Sequence, residues 1–401
     1  MKKIAMFTMG TRGDIQPYIY LSKELIRNGY DVSLGSHPCW RNLVESSNIH
    51  FEPIGPDIDI DKEAAIIRGK SSSPALSMLR MMHFVFKIIQ NSTHEIFEVC
   101  KGKDLIIVSH SQMGATEAEV LGIPTVNVTL QKEMIAEKLK PQTLWSKLIG
   151  QIIGKQVAKP YNKIRKVYGL KPIQSSDEII SRKLNLIPIS KHVLERNPYW
   201  EAHHVLTGYW YEDEESYSPD EKLATFLASG EKPILLSLGA MSFEEESEKE
   251  KLDMFVNAFE KSGHRAIIQG FQKTLQNYDL PKTMIACGSV PHSYLFRHCL
   301  FVIHHCGFGT SAATLIYGIP SIPVPHVLDQ MGFAMQLYEN NVATKPLKSK
   351  DLSKELIYEA ILDMQNTYEE KKKNVELLSA KIKEEGGVAE AVRLIEEVMK
   401  E

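Results

Sequence analysis

The feature that most constrains this chain is a repeated arrangement. A short apolar run ends at Gly, Ser, His or Pro, and a longer amphipathic stretch follows. In the first half these runs are Ile4–Met9, "DVSLGSH", "IHFEPIG", "DLIIVSH", "IPTVNV", "LNLIPIS" and "HHVLTGY". In the second half they are "KPILLSLGA", "HRAIIQG", "TMIACGSV", "LFVIHH" and "IPSIPVP". A nearly unbroken apolar run suits a strand buried on both faces, and such strands alternating with helices build parallel α/β sheets. Helical stretches are expected at Tyr18–Asn28, Trp40–Ser47, "SQMGATEAEVLG" and the closing "GGVAEAVRLIEEVMKE".

One segment breaks the alternation. "YWYEDEESYSPDEK", from Tyr209 to Lys222, is acidic and polar and carries Pro219, as an exposed linker would. With 401 residues there is chain enough for two cores. The expected layout is therefore a Rossmann-like domain over 1–208, an acidic linker over 209–230, a second Rossmann-like domain over 231–375, and C-terminal helices over 376–401.

Composition removes several function classes. Charged residues make up 24% and the net charge is −3, so nothing biases the chain toward nucleic acid. Its five cysteines are scattered without a C-x-x-C pair, which argues against a disulfide framework or a zinc site. "MKKIAMFTMG" opens like a signal peptide, but Arg12-Gly13-Asp14 follow at once, so it reads as a first strand. No window approaches the ~20 apolar residues of a membrane span. A soluble protein of the reducing cytoplasm is expected.

The stretch "HHCGFGTSAATLIYGIPSIPVP", from His304 to Pro325, is the most informative for chemistry. Leu300 to Ile303 form a short strand, Gly307 and Gly309 permit a tight turn, and Thr310 to Leu315 can open a helix. A glycine turn into a helix start directs unpaired backbone N–H groups at one point, where an anion is favoured. The dipole contributes only about 0.3–1 kcal/mol, so other groups must supply most of the affinity, and a histidine at the turn is one candidate.

Together with "GTRGDIQPYIYLSKELIRNGYDV" near the start, "VPHSYLF…HHCGFGTSAATLIYGIPSIPVPHVLDQ" resembles the sterol and antibiotic glucosyltransferase group. These are inverting, metal-independent nucleotide-sugar transferases of the GT-B fold. The resemblance runs from about residue 4 to the C-terminus. It is strong in the first loop and the second half, and weak over about 55–200, where such enzymes bind acceptors. It implies an α/β fold of two Rossmann-like parallel-sheet domains facing a cleft, with the C-terminal helices crossing back to the first domain. It also implies transfer of a hexose, from UDP-glucose, to a hydroxyl of a small apolar acceptor such as a sterol-like lipid, polyketide or phenolic.

Residue by residue, the resemblance makes His305 a donor to the pyrophosphate, with Gly307, Gly309 and Thr310 shaping the turn and presenting N–H groups. His304 is expected to support the loop. Asp329 and Gln330 fall where the family holds the donor sugar. An acid beside an amide suits vicinal hydroxyls, although Asp is also a favoured helix N-cap. Gly239 and Ala240 in "LSLGAM" lie under the phosphates. "GSVPH", with Val290 and His292, reads the uracil edge. Ser289 stands where some relatives carry an aromatic platform, and Ala313 where plant relatives carry a ribose-binding Glu.

Inverting transfer also needs a group that takes the acceptor's proton. Asp14 in "GTRGDIQP", placed in a loop after the first strand, is the first candidate; a helix cap or a partner for Arg12 is the other reading. His110 is a second candidate or a helper, and His37 a further one. The basic segment 132–171 has the composition of a surface that touches an anionic membrane, or of a solvated lid over the acceptor. "MLRMMHFVF" (Met78–Phe86) suits core or an acceptor pocket. No acidic cluster has metal spacing, so no metal and no cofactor are expected, with the nucleotide sugar as substrate. Rival readings are a nucleotide-sugar 2-epimerase on the same architecture and a nucleotide-sugar-binding protein without turnover.

Overall fold

In the computed structural model of the protein, residues 1–69, 74–131, 135, 144–175, 178–212, 217–239 and 245–400 are described. Contacts divide the chain into two units. One comprises Met1–Glu63, Leu76–Tyr211 and Glu385–Glu401; the other comprises Ala64–Ala75 and Glu212–Glu384.

The first unit is built on a seven-stranded sheet of order β3-β2-β1-β4-β5-β6-β7. Its strands are β1 (Lys3–Phe7), β2 (Asp31–Ser36), β3 (His50–Pro53), β4 (Leu105–Val108), β5 (Thr125–Val128), β6 (Asn185–Ile187) and β7 (His204–Leu206). All its pairings are parallel. Ile4 to Phe7 and Leu105 to Val108 have no exposed surface, which is why these strands read as unbroken apolar runs. Phe7 pairs with Gly35 of β2 and Val108 of β4, so Thr8, Ser36 and Ser109 emerge together at the carboxyl end. A Cβ on Gly35 or on Gly114 would stand 2.6 Å from the Phe7 ring. Those glycines let both neighbours close onto it.

The second unit carries a five-stranded parallel sheet of order β10-β9-β8-β11-β12. Its strands are β8 (Ile234–Ser237), β9 (Ala266–Gln269), β10 (Met284–Cys287), β11 (Val302–His304) and β12 (Ser321–Pro323). Phe255, Phe259, Phe271 and Phe301 fill one face of its core. The helix Lys354–Lys383 packs on the helix Glu245–Ser262. In both units the strand order reverses between the first and fourth strand of the unit. That reversal opens a crevice at the carboxyl ends of the sheet.

Three sequence expectations need correction. The first helix runs Arg12–Arg27, so "GTRGDIQP" is not a loop; Thr11 is its N-cap and Asp14 lies in its first turn. The linker does not extend to 230, because Asp220 accepts the Leu223 N–H at 2.7 Å and caps a helix, Glu221–Ala228, of the second unit. Nor does the C-terminal segment start at 376: the long helix continues unbroken to Lys383, and the first unit resumes at Glu385. The turn there is made by Gly386-Gly387. Gly387 has φ 51°, and a Cβ on it would stand 2.8 Å from the Tyr209 carbonyl oxygen. The final helix, Gly387–Lys400, packs on Arg12–Arg27, with Tyr30 Oη 3.3 Å from Glu396 Oε1 and Lys2 Nζ donating to the Met399 carbonyl at 2.7 Å.

Candidate active site

The second unit's crevice opens where β8 and β11 run side by side, with His304 opposite Ser237. His304 is fully buried, and its Nδ1 accepts the Cys306 N–H at 3.2 Å. Burial, then the neighbouring His305 and His292, holds its pKa well below the usual histidine value. It is therefore a neutral imidazole with its proton on Nε2, serving as the floor of the turn, as expected. Cys306 sits at φ 61°, a left-handed conformation uncommon for a non-glycine residue. That bend carries the chain into Gly307, the N-cap of the helix Phe308–Ile316. Gly309 is exposed and Thr310 buried in its first turn, whose N–H groups have no intrahelical acceptor. His305 lies against Gly239 from the end of β8 and against Gly307.

Gln269, which sequence reading passed over, ties the rest of this rim together. Its Oε1 accepts from Ser237 Oγ at 3.0 Å, and its Nε2 donates to the carbonyls of Gly288 at 3.0 Å and Val290 at 3.1 Å. The only sequence signal was an amide ending the apolar run "AIIQ" just before Gly270. Val290 is buried, and His292 opens the helix His292–His298, stacking on Phe296 at 4.8 Å. Ala240 lies outside the described residues. Asp329 falls in the first turn of the helix Leu328–Glu339, whose N-cap is Val327, so the capping alternative for Asp329 does not hold. Its side chain is outside what is described. Gln330 is buried and its Oε1 accepts the His326 N–H at 2.8 Å, leaving its amide nitrogen as the group able to donate to a ligand.

In the first unit, Asp14 projects from the first turn of Arg12–Arg27. Its Oδ2 accepts the Thr11 N–H at 2.8 Å and the Thr11 hydroxyl at 3.1 Å. The carboxylate thus fills the capping role at this helix start. Trp40 Nε1 donates to the Gly10 carbonyl at 3.1 Å and steadies the turn before it. One helical turn on, the buried Tyr18 phenol lies beside Asp14, Ser109 and Thr8; burial first, then the Asp14 charge, raises its pKa. His110 follows Ser109 at the same sheet end, half-buried, with a buried Nδ1 that has no hydrogen-bond partner among the described residues. Asp14 and His110 thus both lie at the carboxyl end of the first sheet, with Tyr18 beside Asp14 as a residue that sequence reading did not single out. His37 is different: it is fully enclosed, and burial lowers its pKa to about 4. It is a neutral interior group.

Residues 4–151 match the Glycosyltransferase family 28 N-terminal domain, and residues 264–389 match the Erythromycin biosynthesis protein CIII-like C-terminal domain. The chain has the GT-B fold. This GT-B chain is 27% identical to a sterol 3-beta-glucosyltransferase of Candida albicans over 98% of its own length and 27% of the relative's. A sterol 3-beta-glucosyltransferase of Arabidopsis thaliana is 26% identical over 98% of this chain and 64% of its own. The chain thus spans between about a quarter and two thirds of these relatives. The O-mycaminosyltylonolide 6-deoxyallosyltransferase of Streptomyces fradiae is 26% identical over 88% of both chains. Among solved structures, SsfS6 of Streptomyces sp. SF2575 complexed with thymidine diphosphate aligns with TM-score 0.70 and 17% identity, over 99% of this chain and 100% of its own. The spinosyn rhamnosyltransferase SpnG, complexed with spinosyn aglycone, aligns over the same shares with TM-score 0.71 and 17% identity. At that identity the structural likeness shows the GT-B fold.

Proposed function

We propose that this GT-B protein is an inverting glycosyltransferase that moves glucose from UDP-glucose to a hydroxyl of a small apolar acceptor, a sterol-like lipid or a polyketide. The observation that carries the reading is the turn at His304–Thr310, where a histidine and the start of a helix share the carboxyl end of a parallel sheet. The sterol and macrolide transferases among its relatives support the acceptor class. Asp14 takes the proton of the acceptor hydroxyl as its oxygen bonds to the anomeric carbon, and the bond from that carbon to the diphosphate oxygen breaks with inversion. Charge growing on the leaving diphosphate is met by His305 and the first-turn N–H groups of Phe308–Ile316, preorganised donors of the kind that dominate such catalysis. Gln330 Nε2 and Asp329 hold sugar hydroxyls.

This reading assigns no step to a metal or cofactor, and it places the protein in the cytoplasm. Among the described residues no helix is long and apolar enough to cross a membrane.

Labelled UDP-glucose incubated with sterols, macrolide aglycones and phenols should yield UDP and a labelled glucoside only when an acceptor is present. His305→Ala should slow this and weaken UDP binding, because a charge-assisted contact is lost. Conversion of the donor with no acceptor present would favour the 2-epimerase reading. Tight UDP binding without turnover on any acceptor would leave a binding protein.

A further inference from the structure

We propose that Gly239 and Gly307 are positioning residues for His305: their missing side chains form a slot that holds the imidazole in its working orientation. The inference rests on the reading above that His305 meets the donor diphosphate, but the slot itself is a matter of packing. The register that sets His304 opposite Ser237 sends Gly239 and His305 out of neighbouring strands side by side. A Cβ on Gly239 would stand 2.7 Å from His305 Cε1 and 3.0 Å from Nε2. A Cβ on Gly307 would stand 2.5 Å from the same Nε2. Side-chain carbons do not approach other atoms that closely, so neither wall admits a side chain while the ring stays in place.

The two glycines are not equivalent. Gly239 has φ 69°, so its backbone alone favours glycine. Gly307 has φ −62° and ψ 153°, an extended conformation open to any residue. At 307, then, the backbone gives no reason for glycine, and the ring of His305 gives a strong one. Gly309 makes the contrast: a Cβ there meets nothing within 4 Å. The close approach is a property of the slot and not of the whole turn. Beneath it the neutral, fully buried His304 holds the backbone of the turn through Cys306 N–H.

Alanine at 307 therefore leaves the fold standing and swings the imidazole out of its orientation. Gly307→Ala should weaken UDP binding as much as His305→Ala does, roughly 10- to 100-fold for a lost hydrogen bond to a charged group. The double variant should bind no more weakly than His305→Ala alone, since the ring on which alanine acts is gone. Calorimetry with UDP measures all three. NMR of the His305 ring without nucleotide gives an independent reading: its Hε1 and Hδ2 resonances and its titration midpoint should move in Gly307→Ala.

Unchanged ring resonances in Gly307→Ala, or losses that multiply in the double variant, would overturn the slot. If His305→Ala leaves UDP affinity intact, the donor assignment falls, while the ring resonances still decide the slot. If Gly307→Ala does not fold, a folded double variant supports the slot and an unfolded one refutes it.

Discussion

Replacing Glu117 by Gln should stabilise the first unit in a manner that depends on pH. Glu117 lies in the helix Ala115–Leu121 and is 2% exposed, and burial pushes its carboxyl up from 4.5 to about 7. A Tyr168 Oη–H donated to Oε1 at 3.4 Å and a backbone N–H offset only part of that. Below pH ~4.5 the carboxyl is protonated whether the chain is folded or not, and the group costs little. As pH rises, the unfolded chain ionises first, so stability falls until the folded carboxyl also titrates near 7. At 1.36 kcal/mol per pKa unit the loss reaches about 3 kcal/mol above pH 7. Gln keeps the volume and the acceptor for Tyr168 but does not titrate. Glu117→Gln should match the parent at pH 4.5 and exceed it by up to about 3 kcal/mol at pH 8. Urea unfolding followed by tryptophan fluorescence is the assay, because Trp40, Trp145, Trp200 and Trp210, all four tryptophans of the chain, belong to the first unit. An offset of the same size at both pH values would refute the argument.

Asp14→Asn should lower transfer by roughly 10²- to 10⁴-fold with UDP affinity unchanged, while its amide oxygen still accepts the Thr11 N–H; an unimpaired enzyme on its best acceptor would move the base to His110. Gln269→Leu removes the ties from β8 to the 288–290 loop, at about 0.5–1.5 kcal/mol each. Hydrogen exchange in that loop should speed up and UDP should bind more weakly, and unaltered exchange would show the ties to be idle.

The sheets were legible because strands buried on both faces leave a mark that survives without context: Ile4–Phe7, Leu105–Val108 and Ile234–Leu236 are apolar throughout and wholly buried. The start of the first helix, inside "GTRGDIQP", was not read. Yet Thr11-x-x-Asp14 has the spacing of a reciprocal cap, and Asp14 does accept the Thr11 N–H. The long helix Lys354–Lys383 also went unread, although Ile357, Ile361, Met364, Val375 and Ile382 recur at helical spacing and are buried. The closeness of Gly239 to His305 was beyond any local pattern. It exists only because β8 and β11, far apart in the chain, are neighbours in the sheet. Sequence named both residues for the phosphate and could not see that one shapes the other.

The helix Gly387–Lys400 has a bearing on biosynthesis. Ala391, Val392, Ile395 and Val398 are its buried face, and it packs on the helix that carries Asp14. Those residues leave the ribosome only after the whole of 212–384 has been made. The nascent first unit therefore waits, with one flank of Arg12–Arg27 uncovered, through the synthesis of its neighbour. Its last piece is made after that neighbour, so the unit that carries Asp14 becomes complete only when the unit that carries His305 already exists.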